Sequence, residues 1–262
     1  MTVPSPTETV EVSFITPRHL AGGGDPAWIT VPLHRACGWS YEHDPLMPRV
    51  VLSSLNETAV LRLEPDADRR WWSLHHAADR DRPAWYASFG ARTPVEVIAG
   101  FIDALTDPAS SRPAPSDPYE PLRQRAWSPT HGTAPGLVAP DGNVFVQRLG
   151  EEHDPGAWFV TATLGPSRPV WQARFDRHTP VHLVSAFTTA LADPQPVLRT
   201  NGPLDLPTLD PKIISRRFVD VPEAFVPACI VDRVLLLAAR HDIPPADPSP
   251  PGPPPPRTSR SR

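Results

Sequence analysis

Arg82-Pro-Ala-Trp-Tyr-Ala-Ser-Phe89 and Thr93-Pro-Val-Glu-Val-Ile-Ala-Gly-Phe-Ile-Asp-Ala-Leu-Thr-Asp-Pro108 decide how this chain is read, because both return 86 residues later. The second versions are Arg168-Pro-Val-Trp-Gln-Ala-Arg-Phe175 and Thr179-Pro-Val-His-Leu-Val-Ser-Ala-Phe-Thr-Thr-Ala-Leu-Ala-Asp-Pro194. Val60 to Pro108 aligns with Val146 to Pro194 without a gap, and 18 of the 49 positions are identical. Chance at ordinary composition gives about three or four. Further upstream the register slips but landmarks persist: Asp25-Pro26 against Asp117-Pro118, Pro32-Leu33 against Pro121-Leu122, Trp39-Ser40 against Trp127-Ser128, and His43 against His131. The chain holds two copies of one unit.

Each unit reads as a short helix, four strands and a closing helix. Pro32 and Pro121 suit a first helical position, and Gly38 suits the end of the first short helix. Strand patterns run over 50–53, 59–64, 71–77 and 84–89 in the first copy, and over 137–139, 144–149, 157–164 and 170–175 in the second. Turn chemistry at 65–68 and 140–143 separates them. In the closing helix, Thr93 is expected to cap, Pro94 to open the first turn and Glu96 to complete a capping box. Val97, Ile98, Phe101, Ala104 and Leu105 form one apolar stripe, repeated as Leu183, Val184, Phe187, Ala190 and Leu191. His182 replaces the glutamate in the second copy, and Asp-Pro stops both helices.

What the copies keep is informative. Trp85, Ala87 and Phe89 alternate on one strand face and recur as Trp171, Ala173 and Phe175, while Tyr86 and Ser88 become Gln172 and Arg174. An apolar face kept and a polar face changed is the pattern of a sheet packed on its own helix. Trp72, Trp85, Trp158 and Trp171 are therefore core candidates, each carrying ~150–250 Å² of side-chain surface. The expected fold is α+β: two tandem repeats, each a short helix, a four-stranded antiparallel meander and a C-terminal helix packed on the sheet, arranged as a pseudo-symmetric pair.

The rest of the chain follows from these two units. Residues 1–24 hold a strand, with Val10, Val12 and Phe14 alternating, expected to join the first unit; Gly22-Gly23-Gly24 reads as a flexible joint, since no lysine follows to make a phosphate loop. Unit one spans 25–108, a linker 109–116, and unit two 117–195. A C-terminal extension, 196–243, contains a strand pattern over 213–221 and a helix pattern over 228–240 with Val231, Val234, Leu235 and Ala238 on the docking side. Residues 244–262 form a Pro/Arg-rich tail expected to be disordered.

The Trp-Ser start, the Arg-Pro-x-Trp strand and the Thr-Pro helix, each present twice in an arginine- and proline-rich chain, resemble the tandem SPDY domain family, an actinobacterial domain of unknown function. The resemblance covers 11–195. It implies an actinobacterial source and two copies per chain, and it supplies no reaction and no catalytic residue.

Chemistry is sparse. Cys37 and Cys229 have no metal-type spacing and read as free thiols. His75 and His76 are adjacent in a strand and point to opposite faces, so they cannot readily share a metal; His43 is followed by Asp44, which Gly132 replaces beside His131, and His153 stands next to Asp154. No nucleophile elbow, zinc spacing or nucleotide fingerprint is present. No metal and no cofactor are expected, and no catalytic residue is assigned. The binding candidates are those that recur: Arg62 with Arg148, Arg82 with Arg168, and His43 with His131, with Arg69, Arg70, Arg80, Arg174 and Arg177 as further arginines on the sheet. Residues 11–108 carry 9 Arg against 13 Asp plus Glu, and 109–195 carry 7 against 8. An acidic repeat region argues against broad nucleic-acid binding, which draws on phosphate attraction. The expectation is a non-enzymatic interaction or scaffold module with an unidentified protein partner, cytoplasmic and without a membrane span. A nucleic-acid-binding protein using the sheet arginines is the first alternative; an enzyme with a site between the repeats is the second.

Overall fold

The computed structural model describes residues 8–43, 49–64, 70–80, 82–108, 116–130, 135–150, 156–165, 168–200 and 205–241. His131, Asp44, Arg69, the 65–68 turn, His153, Asp154, residues 1–7, nearly all of the 109–116 linker and the 244–262 tail lie outside the described residues. For His43 and Arg70 only the backbone is described.

In chain order the elements are β1 (Thr9–Thr16), a 3-10 turn (Arg18–Leu20), α1 (Ala27–Arg35), β2 (Ser40–His43), β3 (Val50–Ser53), β4 (Ala59–Leu63), β5 (Arg70–His76), β6 (Trp85–Gly90) and α2 (Val95–Thr106). They continue with α3 (Glu120–Arg123), β7 (Ser128–Pro129), β8 (Gly136–Val138), β9 (Val144–Leu149), β10 (Ala157–Thr163), β11 (Pro169–Phe175), α4 (Val181–Ala192), β12 (Val197–Arg199), β13 (Ser215–Pro222) and α5 (Phe225–His241). Among the described residues the fold is α+β, with antiparallel sheets and five α-helices.

Ten strands form one sheet in the order β2-β3-β4-β5-β6-β11-β10-β9-β8-β7. Each half contributes five strands, one more than the four expected. The additional strands, β2 and β7, begin at the Trp-Ser landmarks and carry no apolar alternation, β2 reading Ser-Tyr-Glu-His and β7 only Ser-Pro. The halves join where β6 pairs with β11: Ala87 faces Phe175, Ser88 faces Arg174 and Phe89 faces Ala173. Ser88 and Arg174 are themselves 86 residues apart, so the register is symmetric about that pair.

Trp72, Trp85, Trp158 and Trp171 all turn inward and are at most 4% exposed. Under them α2 and α4 lie side by side. Gly100 makes this possible, since a Cβ there would sit 2.6 Å from the Ala190 Cβ and 3.2 Å from the Ala186 carbonyl oxygen. Four phenylalanines fill the space between helices and sheet. Phe89 meets Phe101 edge-on at 5.7 Å and Phe175 meets Phe187 edge-on at 5.0 Å, while Phe89–Phe187 and Phe101–Phe175 stack at 5.7 and 5.3 Å. Each such pair contributes ~0.5–1.5 kcal/mol beyond area burial.

Several local expectations are corrected. Pro32 lies inside α1 rather than at its start. Its missing N–H would have bonded the Trp28 carbonyl, and Arg233 of α5 donates to that oxygen instead, Nε to O at 2.8 Å. Gly38 does end this helix, at φ +68°, with the Trp39 N–H reaching the Leu33 oxygen; in the second unit Ala126 takes the same left-handed conformation, φ +59°, before Trp127 bonds the Leu122 oxygen. At α2, Pro94 is the cap residue and Thr93 stands one place outside; the first free N–H, of Val95, is taken by the Gly23 carbonyl at 2.8 Å. The Thr93 hydroxyl is buried without a hydrogen bond among the described residues, and Glu96 turns to Arg199 rather than back to the cap.

The N-terminal strand does not join the first unit. β1 is the middle of a separate three-stranded sheet, β12-β1-β13, which ties the chain start to the C-terminal extension. In the Gly22-Gly23-Gly24 segment the carbonyls of Gly22 and Gly23 are both hydrogen-bonded, the latter to the Val95 N–H. Arg199, 7% exposed, donates to the Ala21 and Gly22 carbonyls at 2.9 and 3.0 Å and bidentately to Glu96 at 2.6 and 3.0 Å. Helix α5 docks on α1 through Val234, Leu237 and Ala238, with Arg233 clamping Asp103 at 2.7 Å. Val231 and Leu235, expected on the docking side, are each 49% exposed. Among the described residues no helix is long and apolar enough to cross a membrane.

Candidate functional site

Helices cover one face of the ten-stranded sheet. On the other, pairing places a row of side chains across the molecule: Val51, Arg62, Ser73, Ser88, Arg174, Phe159, Gln147. A second row runs His75–Tyr86 in the first half and Gln172–Thr161–Phe145 in the second. Arg174 stands at the centre, its guanidinium carbon 5.3 Å over the Tyr86 ring and 5.5 Å over that of Phe159. Its Nε is buried and, among the described residues, has no hydrogen-bond partner. Such a guanidinium between two rings gains cation–π energy yet keeps donors for an incoming acceptor. Beside it a groove of about 340 Å³ is lined by Arg62, Glu64, Trp71, Ser73, His75 and Tyr86, and Trp71 is 39% exposed. Partial burial, and then the Arg62 charge, hold the His75 pKa below its ordinary 6.5; its ring stacks on Tyr86.

Of the six residues singled out from the sequence, the four arginines have described side chains, and these stand at separate places. Arg62 and Arg148, matched by the gapless alignment, point to opposite faces. Leu61 pairs with Leu74 and Val146 with Val160; Leu74 and Val160 are 86 apart, so Leu61 corresponds to Val146 at a shift of 85. The structural counterpart of Arg62 is thus Gln147, and that of Arg148 is Leu63. One extra residue in the β9–β10 connection causes the slip, and a one-residue slip in a strand reverses every side chain. Arg148 lies on the helix side, 5.4 Å over the buried Trp158 ring.

Arg82 and Arg168 are exposed and occupy the β5–β6 and β10–β11 turns. Because β6 and β11 are antiparallel, those turns lie at opposite ends of the strand pair. Arg82 is close enough to α4 that, after burial, its charge lowers the His182 pKa. His43 lies in β2 at the sheet edge, and His131 lies outside the described residues. Where the two halves of the sheet meet, the phenylalanine cluster fills the centre of the junction on the helix side. Among the described residues no group of three or more His, Cys, Asp and Glu could hold a metal ion. Cys37 is buried and Cys229 half-buried, and both are free thiols.

Sequence reading passed over Trp71 and Phe159, because the bulge between Arg70 and Trp72 hides the face of the one and the first copy has serine in place of the other.

The molecule is thus an α+β protein with two tandem regions and, among the described residues, one sheet face that no helix covers. The SPDY family, described as a domain of unknown function (DUF317), matches over residues 53–111 and again over 138–197. The chain carries two tandem SPDY domains. No curated protein and no solved structure matches it.

Proposed function

We propose that this is a non-enzymatic interaction module, acting in the cytoplasm of an actinobacterium, that holds a protein partner on the uncovered face of its sheet. In this reading the chain divides as 1–24, 25–108, 109–116, 117–195, 196–243 and 244–262, and the two units form a pseudo-symmetric pair. The supporting observation is how the copies differ. Trp72, Trp85, Ala87 and Phe89 face the helices and recur unchanged, whereas outward positions all change: Ser73 to Phe159, His75 to Thr161, Tyr86 to Gln172 and Ser88 to Arg174. The core constrains the first set, and the second gives each half its own contacts. Half-buried Tyr86 and Phe159 around a stacked arginine, with Trp71 39% exposed beside them, are the composition that dominates protein interfaces, and Arg62 with Arg174 favours a partner offering carboxylates.

A photo-crosslinking amino acid at Ser73 or Thr161 tests this in host cells, against the same group at Asp232 on α5. A discrete protein adduct from the sheet positions, lost on Arg174→Glu with the fold intact, supports the reading. Adducts only from Asp232 overturn it.

The stacking of Arg174 between rings also suits unpaired bases, which keeps the nucleic-acid alternative in view. That alternative requires binding to a single-stranded oligonucleotide that weakens steeply with salt, and no retention on heparin removes it.

A further inference from the structure

The N-terminal segment, the second unit and the C-terminal extension meet around a cleft of about 520 Å³, inside the ~300–1,000 Å³ range of small-molecule sites. His19, its side chain 9% exposed, bonds Asp141 at 2.7 Å through Nε2. Burial pushes the Asp141 pKa up, but the hydrogen bond and charge of His19, then the Asn143 N–H, bring it below the usual carboxylate value. Asp141 is therefore ionised and can only accept, so Nε2 donates. The His19 backbone carbonyl takes the Trp171 indole N–H at 2.8 Å, which fixes the segment against the sheet. Arg18 pairs with Asp193 at 2.6 Å, and its Nε is buried without a partner among the described residues.

Above these groups the walls are apolar, with Trp127, Leu191, Pro211 and Ile213 among them. Arg125 and Lys212 also line the cleft and are exposed, and neither side chain has a hydrogen-bond or ion-pair partner among the described residues. Arg18 is balanced by Asp193, and His19 engages Asp141. The lining thus sets three cationic side chains against the carboxylates of Asp141 and Asp193, and Arg125 and Lys212 are the two cations that a purely apolar ligand would leave without a partner.

We propose that this cleft binds a small organic anion, with its apolar body against Trp127, Leu191 and Ile213 and its carboxylate or phosphate held by Arg125 and Lys212. The site shares none of the residues of the sheet face, so its failure and that of the partner-binding reading are separate results.

The test titrates the full chain with 8-anilinonaphthalene-1-sulfonate by fluorescence and calorimetry, beside the neutral N-phenyl-1-naphthylamine. Saturable binding of one sulfonate per chain is expected, weakened about tenfold or more by Arg125→Glu with Lys212→Glu. Arg35→Glu, exposed at the end of α1, should leave it unchanged, and circular dichroism confirms the fold of each variant. Displacement by 1-naphthoate or by 1-naphthyl phosphate tells a carboxylate from a phosphate site. No one-to-one binding, equal affinity for the neutral amine, or indifference to the charge reversal overturns the proposal.

Discussion

Replacing Arg199 by methionine should unfold this protein more readily than any single loss of apolar surface of similar size. The guanidinium is buried and makes five hydrogen bonds: two to Glu96, and one each to the carbonyls of Ala21, Gly22 and Leu198 at 2.9, 3.0 and 2.7 Å. The methionine keeps much of the stem's packing and removes all five. Glu96, its side chain 17% exposed, is then left with a carboxylate largely out of water. Breaking one partner of such a pair costs ~3–5 kcal/mol, against a total stability of ~5–15 kcal/mol for a typical domain. Glu96→Met should cost less, about 2–3 kcal/mol, because the arginine keeps its three carbonyl acceptors. In the double variant neither charge is stranded, so its loss should fall short of the sum of the singles by ~1–3 kcal/mol. Urea unfolding of the four proteins, followed by tryptophan fluorescence, gives the cycle directly. A loss under ~1 kcal/mol for Arg199→Met, or strict additivity, would falsify the view that this pair locks the N-terminal segment, α2 and β12 together.

Three further outcomes are expected. Ala126→Gly should stabilise the protein by ~0.5–1 kcal/mol, because the left-handed backbone costs alanine ~1–2 kcal/mol and the added chain entropy takes back only ~0.5–1; a lower melting temperature would show that the alanine methyl matters more than its φ. Thr93→Val removes a buried hydroxyl without a partner and should gain about 1 kcal/mol in urea, whereas a comparable loss would reveal a hydrogen bond at that oxygen. His75 and His182 both have folded pKa values below their ordinary 6.5 through burial, then through Arg62 and Arg82 respectively. The unfolded chain therefore takes up protons first, so their contribution is complete above that value and is lost as pH falls toward the folded pKa values. Arg62→Met should move the His75 NMR titration upward, and an unchanged titration would remove Arg62 as a cause.

Some of this architecture was legible in the sequence because it rests on periodicity. The alternation Trp85, Ala87, Phe89 and the stripe Val97, Ile98, Phe101 are local signals of burial, and all six residues are buried. What stayed hidden depends on partners far along the chain. Nothing near Thr93 shows that Gly23 will satisfy the Val95 N–H, and nothing near Val12 shows that its strand pairs with residues some 200 positions away. The Arg62–Arg148 match failed for a different reason. Identity at a fixed offset looked like equivalence, but one inserted residue between strands had turned the second arginine to the other face. His19 and Asp141 were invisible as a pair, being 122 residues apart in segments read as a joint and a turn.

The symmetric register of β6 on β11 bears on how such a protein could arise. A polypeptide with one unit would present the whole edge of β6 and half of an aromatic cluster to water, so it would fold securely only by meeting its twin, at a population set by concentration. Tethering the twins in one gene product replaces that encounter with an intramolecular one. It also frees each half to mutate its outward residues alone, something an obligate homodimer, whose every substitution appears twice, cannot do.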